Sequence, residues 1–306
     1  MALLGFMAIA YAFGLIWLPI TPLQAGACGL MGLLGGLDDR FDTRARVKAL
    51  VGLAIACMLG GETALHLAAK APTVVFARMA LPSLPMVTFP LLMLWYWFIP
   101  QAVNLVDGIN GMSLGLLALL VMVSGLGFST NTAALWGAFF AVFALNFPRA
   151  RHFLGDCGAL GLGTLASILV MRRALQGDAV LALWATAYLV ADVSMVVLIR
   201  KWTKRPLGEG DRNHLHHWIL GLLGGNVWIA TPLLLTVAAL PMMKMLRPDG
   251  FHLVADLGLV LLVALTAANW WVKTRGMTRR KVVVSLPVPT LSREASGTFQ
   301  TELSDH

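Results

Sequence analysis

Apolar runs of about 20 residues recur along this chain, separated by short polar stretches. None alternates with period two, so the pattern predicts membrane-crossing helices and argues against a transmembrane β-barrel. The runs place ten helices, at about 2–20, 22–37, 47–65, 86–103, 111–128, 132–147, 158–172, 179–199, 226–245 and 251–272. The second and seventh are short and glycine-rich, which suits helices packed inside the bundle. The first has no basic residue ahead of its apolar run and no small-x-small exit, so it reads as a span, not a cleaved signal. Between the third and fourth, the segment 66–85 with Pro72, Pro82 and Pro85 predicts short irregular or hairpin structure on the membrane surface. The expected fold is all-α: a polytopic transmembrane helix bundle over 1–273, followed by a polar, poorly ordered tail over 274–306.

Composition narrows the class. The 306 residues are 58% hydrophobic and 12% charged, with mean hydropathy +0.78. An ordinary soluble enzyme, a disordered chain and a coiled coil are all excluded, since soluble domains carry about 25% charged residues. Cys28, Cys57 and Cys157 lack metal-site spacing and read as free thiols. The net charge of +8 bears on topology before it suggests any anionic partner, and no nucleic acid is expected. Ten spans put both termini on one side. Of the 23 Lys and Arg, all but Lys70, Arg78, Arg172, Arg173, Lys244 and Arg247 fall on that side, which is therefore cytoplasmic.

The acids then carry the functional signal. Asp38, Asp39 and Asp42, then Asp107, Asp156, Glu209 and Asp211 sit in four loops on this same side, where they can converge. Adjacent Asp38 and Asp39 repel unless a cation or proton intervenes. Such a pair suits a Mg²⁺ or phosphate-handling site, or else a solvated loop neutralised by Arg40, Arg44 and Arg46. In the second loop, Asn104, Asp107, Gly108 and Asn110 stand where a helix leaves the membrane. They are either site residues or the caps of a tight turn. The third loop brackets Asp156 between Gly155 and Gly158, with Arg149, Arg151 and His152 before it. A helix start of this kind favours an anion, or a carboxylate holding a metal against one. Its alternative is a simple N-cap.

The fourth loop is a basic arm ending in Asp211, Arg212, His214, His216 and His217. Histidines beside basic residues suit a phosphate-rich ligand. Zinc and an interfacial anchor with Trp218 are the competing readings. Asp192 stands apart, inside the span 179–199, where an ionisable residue is a functional candidate. It either reaches the site or pairs within the bundle.

These four loops, in this order, resemble the polyprenyl-phosphate N-acetylhexosamine-1-phosphate transferase superfamily. The resemblance rests on DDxxD (Asp38, Asp39, Asp42), NxxDGxxG (Asn104, Asp107, Gly108, Gly111), NxPxAxxFxGDxG (Asn146, Pro148, Ala150, Phe153, Gly155, Asp156, Gly158) and DRxHxHH (Asp211, Arg212, His214, His216, His217), with Asp192 and Arg200 ahead of the last. It covers about 30–275. Asn110 stands where the family commonly has Asp, and Ala159 where it has Ser. The family's usual first helix and PxxGG-like element have no counterpart before Leu4.

The resemblance implies transfer of a sugar-1-phosphate, an N-acetylhexosamine phosphate, from a UDP-sugar to undecaprenyl phosphate with release of UMP. This would be the first membrane step of cell-surface polysaccharide synthesis, such as O-antigen or lipopolysaccharide, in a bacterial inner membrane. It implies Mg²⁺, with Mn²⁺ as a substitute, held first by Asp156. Asp38 and Asp39 would share the metal, position the lipid phosphate or act as base. Asp107, His214, His216 and His217 would join them as catalytic residues. Asp42, Asn104, Gly108, Asn146, Arg149, Asp211 and Arg212 would contact substrate. Membrane lipid and a second copy of the chain are the remaining partners. Two alternatives stay open. One is a phospho-N-acetylmuramoyl-pentapeptide transferase of the same superfamily, against which HLHHW favours the sugar-only branch. The other is a secondary transporter, which would gather its polar groups near the midplane.

Overall fold

The computed structural model describes residues 18–71, 73–204, 213–246 and 250–284, with side chains as far as 274. The expected span at 2–20 and the tail beyond 284 therefore lie almost wholly outside the described residues.

The first described helix, α1 (Pro22–Phe41), starts at a capping box. Thr21 Oγ1 accepts the Gln24 N–H at 3.2 Å, and Gln24 Oε1 accepts the Thr21 N–H at 3.2 Å. Helix α2 (Ala45–Lys70) returns alongside it. A hairpin follows, β1 (Thr73–Phe76) antiparallel to β2 (Met79–Pro82), where the proline-rich segment predicts one. Its two turn residues, Ala77 and Arg78, are left-handed, with φ of 49° and 67°. Both turn N–H groups donate to the Asp178 carboxylate, at 2.9 and 2.8 Å. Helices α3 (Pro85–Val106), α4 (Met112–Val123), α5 (Ala133–Asn146) and α6 (Gly155–Ala174) come next. After them run α7 (Leu181–Ala185), α8 (Ala187–Thr203), α9 (Leu215–Leu222), α10 (Val227–Leu246) and α11 (His252–Val284).

Five of these, α2, α3, α6, α10 and α11 as far as Thr274, are long and apolar enough to cross a membrane. The others depart from the expected spans for local reasons. Helix α1 is long enough but ends in Asp38, Asp39 and Arg40. Helix α4 stops at Ser124 because Gly125 takes φ 96°. The run 179–199 is two helices, broken at Thr186, whose hydroxyl bonds back to the Ala182 carbonyl at 2.9 Å.

Helix α6 is the axis of the bundle. It is apolar on every face and buried along nearly its whole length, as its glycine-rich sequence predicts. Helices α1, α3 and α4 pack around it, α2 lies on α3, and α10 and α11 close the far side. The approach of α1 is closest at Gly35, where a Cβ would overlap the Asp156 carbonyl. The ends of α1, α3 and α5 and the starts of α2, α6 and α9 thus meet at one end of the bundle. The hairpin, Arg172 beside Pro19, and Lys244 over Trp184 lie at the other.

Candidate active site

The turn between α1 and α2 folds around Asp38. Thr43 donates to its Oδ1 through both N–H and Oγ1, at 2.8 and 2.5 Å. Lys48, one turn into α2, reaches Asp38 Oδ2 at 2.5 Å and Asp156 Oδ2 at 3.1 Å. Asn104 Nδ2, from the last turn of α3, donates to the same Asp156 oxygen at 3.1 Å. Two carboxylates from loops over a hundred residues apart therefore converge on one ammonium. Burial works against charge on Asp38, but its hydrogen bonds with Asp156, Lys48 and Thr43 outweigh this and hold the carboxyl below its ordinary range.

Asp39 does something else. Its two oxygens accept the backbone N–H groups of Asp156 and Cys157 at 2.9 and 3.1 Å. It caps α6 from another helix, where a carboxylate also suits the positive end of the helix dipole. The two adjacent acids thus divide: Asp38 joins the carboxylate cluster, while Asp39 fixes the backbone that carries Asp156. Each Asp39 oxygen has one backbone partner, which leaves each a second lone pair for the metal expected there.

Asp107 ends α3 beside this cluster. Its carboxyl is pushed up to about 6, mainly by burial, with the charges of Asp156 and Asp39 adding and the nearby Ser113 hydroxyl opposing. The folded protein thus keeps this proton at pH values where the unfolded chain, near 3.8, has lost it. The stability it contributes is complete below the unfolded value and is lost as pH rises through about 6. Asp107→Asn should therefore raise stability at pH 7.5 by roughly 1–3 kcal/mol in metal-free buffer, and by almost nothing at pH 4. Denaturation at the two pH values checks this, and equal stability of the two proteins at pH 7.5 contradicts it.

The histidine arm closes on the same loop. His216 lies against Gly108, where a Cβ would strike the His216 ring and stand 3.0 Å from His217 Nε2. Only glycine admits this approach. His216 is fully buried, and neither ring nitrogen meets a hydrogen-bond partner among the described residues. Burial holds its pKa down at about 3, against a smaller upward pull from Asp192, while His214 and His217 push the same way as burial. His216 is therefore a neutral imidazole at physiological pH, able to accept or donate a hydrogen bond but not to supply charge.

The remaining expected residues separate by position. Asn146 is buried and clasps two loops together, accepting the Gly111 N–H at 2.6 Å and donating to the His152 carbonyl at 2.9 Å. Each end of its amide thus holds one backbone group, a scaffolding use beside the substrate contact expected of it. Asn110 adds a second tie, to the Pro148 carbonyl at 2.9 Å, which an ionised Asp could not donate. Asp42 is exposed at the left-handed cap of α1, and Arg149 is exposed. Asp211, Arg212 and Glu209 lie outside the described residues. Lys48 is the residue that sequence reasoning passed over, counting it only as an inside positive charge. Its place in the first turn after the Asp38 loop was the available signal.

Fold and site together define a helical bundle with membrane-length spans and a polar centre of carboxylates, amides and histidines at one end. Residues 22–174, half of the chain, match glycosyl transferase family 4. The chain belongs to this family. It is 27% identical over 213 residues to a probable undecaprenyl-phosphate N-acetylglucosaminyl 1-phosphate transferase of Bacillus subtilis (strain 168), covering 66% of this chain and 58% of that protein. It is 30% identical over 244 residues to the undecaprenyl-phosphate alpha-N-acetylglucosaminyl 1-phosphate transferase of Yersinia pestis, covering 70% and 63%. A phospho-N-acetylmuramoyl-pentapeptide-transferase of Synechococcus sp. (strain JA-3-3Ab) is 32% identical over 243 residues, covering 67% and 68%. The chain thus spans less than two thirds of the length of the first two of these relatives.

Proposed function

We propose that the chain transfers an N-acetylhexosamine-1-phosphate from a UDP-sugar to undecaprenyl phosphate, releasing UMP. The observation that carries this reading is the convergence of Asp38 and Asp156 on a single cation, the Lys48 ammonium, beside Asn104, Asp107 and His216. The names of the similar proteins support the substrate classes.

The donor set fits Mg²⁺, or Mn²⁺ in its place. The clustered groups are hard carboxylate oxygens, already drawn together by a cation. Asp156 and Asp38 would hold the ion, which when bound neutralises charge on the transferring phosphoryl group. The chain's own residues do the rest. Asp39 locks the start of α6 and so sets where Asp156 points. Asn104 donates to one Asp156 oxygen and fixes the orientation of the carboxylate. Lys48 supplies a second positive charge for phosphate oxygens. Neutral His216, with His217 beside it, offers uncharged hydrogen bonds to the donor. The apolar flank of the bundle accounts for an acceptor whose phosphate sits at the interface and whose tail lies in lipid. We place the site on the cytoplasmic face of a bacterial inner membrane, in a bundle of ten spans with both termini inside.

The similarity to the Synechococcus protein gives the second reading, a UDP-N-acetylmuramoyl-pentapeptide donor. Purified full-length protein supplied with undecaprenyl phosphate, Mg²⁺ and each donor in turn separates the two. UMP released from UDP-N-acetylhexosamine only when the lipid is present is the expected result. UMP from the pentapeptide donor alone favours the second reading, and none from either overturns both. For the sidedness, Thr43→Cys in intact cells should label only with a membrane-permeant reagent, and Val74→Cys with an impermeant one. Labelling of Thr43→Cys from outside would contradict the placement.

A further inference from the structure

Asp192 has no part in the chemistry above, yet it is a fully buried carboxylate on α8. Both its oxygens are engaged by the histidine arm. Oδ2 lies 2.7 Å from His214 Nδ1, and Oδ1 accepts the Leu215 N–H at 2.6 Å. From α11, Asn269 Nδ2 donates to the Asn213 carbonyl at 2.9 Å, so the residue ahead of His214 is also held. The His214 ring stacks on His216 with centroids 5.2 Å apart and planes at 19°. His216 in turn meets His217 at 4.4 Å and abuts Gly108. The contacts form one chain from a buried carboxylate to the end of α3, which carries Asn104 and Asp107.

We propose that Asp192 is a positioning residue for the donor site, fixing the Nδ1–H tautomer of His214 and the first turn of α9 so that His216 and His217 face the Gly108 loop. A carboxylate oxygen accepts from the ring, so the geometry puts the proton between the pair on Nδ1. The Leu215 N–H is one of the first-turn donors that no carbonyl within the helix can satisfy. Asp192 meets both needs at once, so each oxygen of this buried side chain has a partner. A metal is the competing use, because one ligand atom from each of Asp192, His214 and His216 lies within 4.8 Å of the others. The 2.7 Å contact suits the hydrogen-bonded pair better. That is a hydrogen-bond length, whereas two ligands on one zinc ion stand about 3 Å or more apart.

The inference rests on the reading that the arm contacts the donor, and its test separates the two. Asp192→Asn preserves shape and can still accept the Leu215 N–H. Its amide then points an N–H at His214 Nδ1, which forces the imidazole proton to Nε2. Nitrogen-15 spectra of histidine-labelled full-length protein, with His214 assigned by its loss in His214→Asn, should show Nδ1–H in the wild type and Nε2–H in Asp192→Asn. The kcat/KM for the UDP-sugar should fall by about 10²-fold in Asp192→Asn. His214→Asn, whose amide N–H stands in for Nδ1–H, should retain more activity than His214→Leu. A wild-type Nε2–H tautomer overturns the proposal without any variant. So does an unchanged tautomer with unchanged kcat/KM in Asp192→Asn, or one zinc per chain that survives chelation. Wild-type protein that makes no UMP from any UDP-sugar would instead sink the proposed function, while the spectra would still report on the Asp192–His214 pair.

Discussion

Asp156→Asn should lower kcat by at least about 10³-fold while leaving insertion and thermal stability nearly unchanged. The structure separates the two effects. Asp156 is partly exposed, with 27% of its side chain accessible, and its ion pair with Lys48 is the longer of two, 3.1 Å against 2.5 Å to Asp38. Losing it leaves Lys48 paired with Asp38, so the cost to the fold should stay below about 1 kcal/mol. The N-terminus of α6 remains capped, because Asp39 bonds the Asp156 backbone and not its side chain. The developing charge on the phosphoryl group, by contrast, loses the carboxylate best placed to hold the neutralising ion. Near-normal kcat at saturating Mg²⁺ would remove Asp156 from the metal site.

Replacing His216 and His217 together by alanine should lower kcat/KM for the UDP-sugar by roughly 10²-fold per folded molecule. The KM for undecaprenyl phosphate should change much less, since the lipid tail contributes most of its binding by apolar burial. His216 is fully buried, so the double variant also loses packing, at a cost of roughly 2–4 kcal/mol. His216→Gln keeps most of the volume and separates the two effects. Because His216 is held near a pKa of 3, no limb of the pH–rate profile near neutrality should vanish in that variant. Unchanged kinetic constants per folded enzyme in the double variant would reduce the arm to a structural element.

How much of this was legible in the sequence depends on the kind of signal. Apolar runs located α2, α3, α6, α10 and α11 closely, because a membrane-length helix needs only length and hydropathy. The hairpin followed from prolines that end helices. The four polar loops could be read as one site since all fall on one side of the counted spans, and the contacts Asn104–Asp156 and Gly108–His216 bring them together. Individual roles were less legible. Asp38 and Asp39 look alike in sequence, but successive residues on a helix point about 100° apart, so one faces Lys48 and the other the start of α6. Asn146 reads as a substrate contact within its motif, but nothing in the motif announces that its amide also ties the backbones of Gly111 and His152 together. The break at Thr186 has neither glycine nor proline to announce it. The partner of Asp192 lies 22 residues away, across a loop whose path no local pattern specifies.

The central claim is that these loops build one divalent-metal site acting on a nucleotide-sugar diphosphate. Electron–nuclear double resonance on purified protein loaded with Mn²⁺ tests it most directly. Adding the UDP-sugar to the wild type should produce a phosphorus-31 coupling to the bound ion, and Asp156→Asn should lose both the tightly bound Mn²⁺ and the coupling. Equal Mn²⁺ binding by the two proteins, or a bound ion that shows no phosphorus coupling at saturating donor, would contradict the account.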